Sequence, residues 1–135
     1  MIILDTNVLS EPMRPTPSGR VLRWMRAQTD VAITSVSVAE LLAGARRLPA
    51  GIRRERLIAA IEVTLTGSRV LPFDESAART YARMQEVRRT AGRALSVEDG
   101  MIAAITAVHG ATLATRNTPD YEGLGVELVD PWTAV

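Results

Sequence analysis

Ile2-Ile3-Leu4-Asp5-Thr6-Asn7 opens with three apolar residues and passes at once to an acid and two small polar residues. A short apolar run closed by turn formers reads as a buried strand followed by a polar turn. Such a strand delivers a carboxylate, Asp5, to its carboxyl end. The pattern recurs. Val31-Ala32-Ile33-Thr34 runs into Ser35 and then Ser37-Val38-Ala39-Glu40. Thr112-Leu113-Ala114-Thr115 runs into Arg116-Asn117-Thr118-Pro119-Asp120. Val70-Leu71 and Val126-Glu127-Leu128-Val129 read as two more strands. Pro12, Pro15, Pro17 and Gly19 predict a loop after the first turn.

Between the strands, apolar residues recur at helical spacing. Helices are predicted over residues 21–27, over 37–48 (Val38, Leu41, Leu42, Ala45) and around Leu57, Ile61 and Leu65. Two more are predicted over 75–91 (Ala77, Tyr81, Met84, Val87, Ala91) and 96–109, the last with Val97, Met101, Ile105 and Val108 inward and Gly110 as its stop. Strands alternating with helices predict an α/β fold around a mostly parallel sheet, whose functional sites form beyond the carboxyl ends of the strands.

Composition narrows the chemistry. With 135 residues, 47% hydrophobic and 23% charged, the chain reads as one domain over 1–135. It has no cysteine, which excludes disulfides, thiolate zinc sites and cysteine nucleophiles. All 16 positive side chains are Arg, so no phosphate-loop or Schiff-base lysine exists. The single histidine, His109, leaves no room for a multi-histidine metal site. No stretch reaches the ~20 apolar residues of a membrane span, and the start lacks the features of a signal peptide. A cytoplasmic protein without membrane attachment is expected.

Four acids stand where the strands end: Asp5, Glu40, Asp99 and Asp120. Each has a local explanation. Asp5 reads as a helix cap and Asp120 as a turn residue. Ser37-Val38-Ala39-Glu40 and Ser96-Val97-Glu98-Asp99 both fit a capping box, which puts Glu40 and Asp99 in first helical turns. Together they converge at one end of the predicted sheet. Crowded ionised carboxylates repel, and a cation between them relieves the repulsion. Oxygen ligands without His or Cys point to Mg²⁺ or Mn²⁺.

The order and spacing of Leu4-Asp5-Thr6-Asn7, Ser37-Val38-Ala39-Glu40-Leu41, Asp99 with Ile102-Ala103-Ala104, and Thr115-Arg116-Asn117-Thr118-Pro119-Asp120-Tyr121 resemble a PIN-domain ribonuclease of the VapC/FitB-like toxin branch. Gly123-Leu124-Gly125-Val126 and Asp130-Pro131-Trp132 extend the likeness. The resemblance implies a PIN-like three-layer α/β/α sandwich. It implies a Mg²⁺- or Mn²⁺-dependent endoribonuclease, the toxin of a type II toxin–antitoxin pair. Asp5, Glu40, Asp99 and Asp120 become catalytic metal-site acids, Asp120 tuning a second metal or orienting water. Thr6, Asn7, Thr115 and Asn117 become substrate-side residues, and Arg116, inside the same loop, reads either as a substrate-side phosphate contact or as the partner of a nearby acid. Tyr121 stands where Phe is commoner, Gly100 weakens its helix by roughly 1 kcal/mol, and Glu98 competes with Asp99 as third acid. A homodimer and a VapB/FitA-like antitoxin are the implied partners. The antitoxin segment is expected in a groove flanked by the helices at 21–27 and 52–65, with an Arg reaching the acidic pocket.

Charge is segregated. Residues 41–69 hold six Arg against two Glu, and 76–97 five Arg against one Glu, whereas 98–135 hold one Arg against six acids. A basic rim for RNA phosphates around an acidic pocket is one reading, and solvated helix faces the other. Trp24, Phe73, Tyr81, Tyr121 and Trp132 do not interleave with the Arg clusters, so a row of stacked bases is not expected. A haloacid-dehalogenase-like phosphatase would need an acid where Asn7 stands, and both it and a receiver domain would need a lysine. The remaining alternative is a non-catalytic PIN-like module that binds RNA or protein, which predicts the loss of at least one of the four acids.

Overall fold

The structure is a computed structural model and describes residues 1–134. Strands β1 (Ile2–Leu4), β2 (Val31–Thr34), β3 (Val70–Leu71), β4 (Thr112–Ala114) and β5 (Glu127–Val129) form one sheet. Its order is β3-β2-β1-β4-β5, and every pairing is parallel. Successive side chains of a strand point to opposite faces, and the apolar clusters divide accordingly. Ile3, Ala32 and Leu113 join one cluster, while Leu4, Ile33 and Ala114 join the other.

Among the described residues six helices cover the two faces: α1 (Thr6–Ser10), α2 (Gly19–Arg26), α3 (Ser35–Arg46), α4 (Ile52–Thr66), α5 (Glu75–Thr90) and α6 (Val97–Val108). The first face receives α5 and α6 through Ala77, Met84, Ile102 and Ile105. The second receives Val8 and Leu9 of α1, with Trp24, Leu41 and Leu65 packed around them. Full burial of a side chain such as Ile3 or Leu113 contributes about 1.5–3 kcal/mol, so both faces need this cover. Chain order reverses about β1, with β2 on one side and β4 on the other. The carboxyl ends at that reversal are where an open parallel sheet builds its site.

Three expectations change. The segment after Asp5 is a helix, α1, rather than a turn, because Asp5 caps it and Val8 and Leu9 sink into the core. In α6 the inward positions are a continuous run from Ile102 to Thr106, whereas Val97 and Val108 are exposed. A helix wedged between a sheet and a neighbouring helix is buried nearly all round, so no single stripe marks its inner face. In α5, Val87 and Ala91 face solvent and Arg88 is buried. The Arg88 guanidinium crosses the α5–α6 side to donate to the carbonyls of Ala94, Asp120 and Glu122. It is not part of a solvated face.

Gly100 has a packing reason. A Cβ there would lie 2.8 Å from Cε2 of Tyr81, so the close approach of α5 to α6 requires glycine despite its helix cost. Gly110 ends α6 with φ of 58°, the left-handed stop its position suggests. His109 is the exposed cap before it.

Candidate active site at the carboxyl end of the sheet

Asp5 leaves β1 with its amide bound to the Ala114 carbonyl at 2.8 Å, which fixes it against the end of β4. Its Oδ1 accepts from the Thr6 amide at 2.8 Å and caps α1. Its Oδ2 accepts from Thr115 Oγ1 at 2.7 Å and from the Tyr121 hydroxyl at 3.0 Å. Capping thus occupies one oxygen of Asp5 and leaves the other to the two hydroxyls, so the cap does not exclude the site reading.

Glu40 is placed differently from expectation. Helix α3 starts at Ser35, with Thr34 as its cap accepting from the Ser37 amide at 3.1 Å. The Ser37–Glu40 capping box is therefore not formed, and Glu40 lies in the second turn. The cap falls on Thr34 because β2 runs into α3 without a loop. Thr6 Oγ1 donates to Glu40 Oε1 at 2.7 Å and lies 2.8 Å from Ser37 Oγ. The single Thr6 hydrogen serves Glu40, so the Ser37 hydroxyl is left to donate to Thr6.

Asp99 sits in the first turn of α6. Ser96 caps that helix by accepting the Asp99 amide at 3.2 Å, which leaves the Asp99 carboxylate free. The Tyr121 oxygen lies 2.9 Å from its Oδ1, so the single phenol hydrogen is shared between Asp99 and Asp5 Oδ2. Asp99 thus faces Asp5. Glu98 instead shares a cleft with Glu40, Arg47 and Phe73. Asp120 lies in the 3-10 turn Thr118–Tyr121, and its side chain is exposed.

The small polar residues serve the acids first. Thr6 holds Glu40, and Thr115 holds Asp5 while accepting the Asn117 amide at 3.1 Å. Asn7 Oδ1 accepts the Arg116 amide at 3.3 Å. The exposed Arg116 guanidinium rests 4.8 Å above the Trp132 ring, a cation–π contact rather than an ion pair. Tyr121, fully buried, was legible only as an unusual aromatic; nothing in its spacing signals a hydroxyl placed between two acids.

Burial pushes the Asp5 carboxyl above its ordinary range, against the lowering effect of the hydrogen bonds from Thr115, Thr6 and Tyr121, and Asp99 adds to the rise. Glu40 is raised by burial and then by Asp5, Glu98 and Asp99, despite the bond from Thr6. Burial and the two flanking acids push the Tyr121 phenol far above its usual value, so it stays protonated. The ion pairs among the described residues are Met1–Asp30, Arg14–Glu11 and Arg79–Glu75, and none reaches Asp5, Glu40, Asp99 or Asp120. The pocket is an uncompensated negative charge with oxygen donors only, which suits a hard divalent cation. As the side chains stand, each held by hydroxyls, no three of the described acids converge on a single ligand position.

A second cleft, about 280 Å³, meets Glu40 from the other side and is lined by Met13 and Arg14 on one wall and by Leu41, Leu57 and Ile61 on the other. It lies between the turn after α1 and the α3–α4 pair. Helix α2 does not line it, contrary to expectation; α2 packs through Trp24 and Met25 against the second apolar cluster.

The sequence matches the PIN domain over residues 2–119. The chain belongs to the PIN-domain family. It is 41% identical to the VapC ribonuclease Y4jK of Sinorhizobium fredii, over 98% of each chain. It is 39% identical to toxin FitB of Neisseria gonorrhoeae, over 98% of this chain and 99% of that one. The solved FitAcB structure from Neisseria gonorrhoeae superposes with a TM-score of 0.88 at 39% identity, covering 99% of this chain and 100% of that one. This PIN domain therefore carries the expected sandwich, with an all-parallel central sheet. No helix among the described residues is long and apolar enough to cross a membrane.

Proposed function

We propose that this PIN domain is a Mg²⁺- or Mn²⁺-dependent endoribonuclease and the toxin of a type II toxin–antitoxin pair. The observation that carries the reading is the meeting of Asp5, Glu40 and Asp99 at one sheet end with no cationic partner, in a chain whose relatives include a VapC ribonuclease and toxin FitB. The degenerate, non-catalytic alternative predicts the loss of at least one of the four acids, and all four are present.

Asp5, Glu40 and Asp99 would hold the metal, with Asp120 as an accessory acid. When bound, the ion supplies a water of lowered pKa and a counter-charge for phosphodiester oxygens. The chain's residues prepare that chemistry. Thr115 and Tyr121 orient Asp5, Thr6 orients Glu40, and buried α1 keeps the Asp5 backbone fixed. Arg47, which shares a cleft with Glu40, and the exposed Arg116 would hold RNA phosphates.

The cleft beside Glu40 offers an apolar floor to a VapB/FitA-like antitoxin segment, whose Arg would pair with the open carboxylates. The chain works as a homodimer in the cytoplasm on this reading. The test is cleavage of a fluorescent RNA by metal-free protein titrated with Mg²⁺ or Mn²⁺. Cleavage is expected only with metal and is expected to stop in EDTA. Cleavage that persists in EDTA would overturn the mechanism.

A further inference from the structure

Among the hydroxyls at the site, Tyr121's alone touches two acids. It lies 3.0 Å from Asp5 Oδ2 and 2.9 Å from Asp99 Oδ1. Thr115 reaches Asp5 only, and Thr6 reaches Glu40 only. The Tyr121 side chain is fully buried, so its hydroxyl cannot swing away to solvent.

Its backbone is held as firmly. Arg88 Nη2 donates to the carbonyls on either side of it, Asp120 at 2.7 Å and Glu122 at 2.8 Å. Arg93 donates to the Pro119 carbonyl at 3.1 Å. Two arginines near the end of α5 thus hold the turn that carries the phenol. The acids it joins come from distant parts of the chain, one from the end of β1 and one from the first turn of α6. No other hydrogen bond among the described residues links these two side chains.

We propose that Tyr121 is a positioning residue, whose hydroxyl ties Asp5 to Asp99 and sets the spacing at which the two carboxylates meet a divalent cation. The proposal rests on the metal reading of the site. Two ionised carboxylates left alone separate by repulsion, and each would then have to be brought back when a cation arrives. A hydroxyl that donates to either oxygen in turn holds both near one place without contributing a charge. Its hydroxyl is buried and contacts the two carboxylates, so its effect passes through them.

The test compares full-length wild type with Tyr121→Phe, which keeps the ring and removes only the oxygen. Mn²⁺ binding to metal-free protein is measured by calorimetry, and metal-free crystal structures of both proteins are compared. The variant is expected to melt as the wild type does. The Asp5 and Asp99 carboxylates are expected to move apart in its crystal structure. Its Mn²⁺ affinity is expected to fall about 10- to 100-fold, the usual effect of removing a partner that orients a metal ligand. In RNA cleavage kcat falls at fixed Mn²⁺ while KM for RNA stays, and excess Mn²⁺ restores kcat. Arg88→Lys, which keeps the charge and loses the paired donors to Asp120 and Glu122, is expected to shift Mn²⁺ affinity in the same direction by less. Equal or tighter Mn²⁺ binding by Tyr121→Phe overturns the proposal and leaves the metal reading standing. A wild type that binds no Mn²⁺ overturns the metal reading and the proposal together.

Discussion

Asp5 and Glu11 are both buried carboxylates on the first stretch of chain, 5% and 2% exposed, and they have opposite electrostatic fates. Glu11 is closed. It accepts from the Ser18 amide at 2.9 Å and from Arg14 Nη1 at 3.0 and 3.2 Å. The Ser18 amide and then Arg14 hold its carboxyl below the ordinary value. Asp5 is open. It has an amide and two hydroxyls, no cation, and a second acid across the Tyr121 oxygen, and its carboxyl is raised. A buried charge is normally paired, because an unpaired one is costly. Glu11 obeys that rule within the chain and pins the segment before α2. Asp5 breaks it, with the half-buried Glu40 and Asp99 also without an ion-pair partner, and the proposed metal would supply the missing counter-charge.

The contrast breaks most visibly at Asp5. Asp5→Asn keeps an oxygen to cap α1 but removes a charge from the cluster. RNA cleavage at saturating Mn²⁺ is expected to fall by more than about a hundredfold, the scale on which a single preorganised electrostatic contact acts in a transition state. The melting temperature of the metal-free protein is expected to hold or rise. A variant that unfolds would show that the cap outweighs the site.

Glu11→Gln sharpens the comparison from the other side. It removes the charge that Arg14 faces and weakens the bond from Ser18, so urea unfolding should show a loss of about 1–2 kcal/mol. Cleavage per folded molecule should not change. The pH dependence of metal-free stability then has opposite signs for the two acids. The folded Glu11 value lies below 4.5, so its stabilisation is complete above that pH and is lost as pH falls through the folded value. The folded Asp5 and Glu40 values lie above 3.8 and 4.5. Between those values and the raised ones the native state holds protons that the unfolded chain has released, so stability falls as pH rises. Asp5→Asn should flatten that decline, and Glu11→Gln should flatten the acid limb. Urea midpoints measured in EDTA across a pH series read both slopes.

How much of this was legible follows from what each signal reports. The strands were readable because 3- and 4-residue apolar runs ending in Asp5, Thr34 and Thr115 are local patterns. The acids were readable because strand ends bring them to one edge. The packing of α5 and α6 was not. Apolar spacing put Val87 inside, yet the buried position is Arg88, whose satisfaction depends on carbonyls 32 and 34 residues further along the chain. Gly100 was readable as a weak helix residue, but its cause is the Tyr81 ring from another helix. Glu40 reaches Thr6, beside Asp5, although its expected capping box is not formed, since the cap of α3 falls on Thr34, three residues before Ser37. Hydrogen bonds that span the chain leave no periodic trace, and those bonds tell Glu98 from Asp99.

Asp120 marks the edge of the comparison and the smallest expected effect. It is exposed, and among the described residues it is not one of the acids that shift Asp5, Glu40 or Tyr121. Its backbone is held by Arg88, but its carboxylate stands in water. A pair of charges 4 Å apart in water interacts by about 1 kcal/mol. Removing the charge should therefore cost cleavage less than about tenfold. Stability should stay within about 0.5 kcal/mol, as at most exposed positions. Asp120→Asn, assayed beside Asp5→Asn across a Mn²⁺ series, separates an accessory acid from a principal one. A loss as deep as that of Asp5→Asn would mean that Asp120 joins the open cluster when metal and RNA are bound. The boundary between water-exposed and buried acids would then no longer mark the working site.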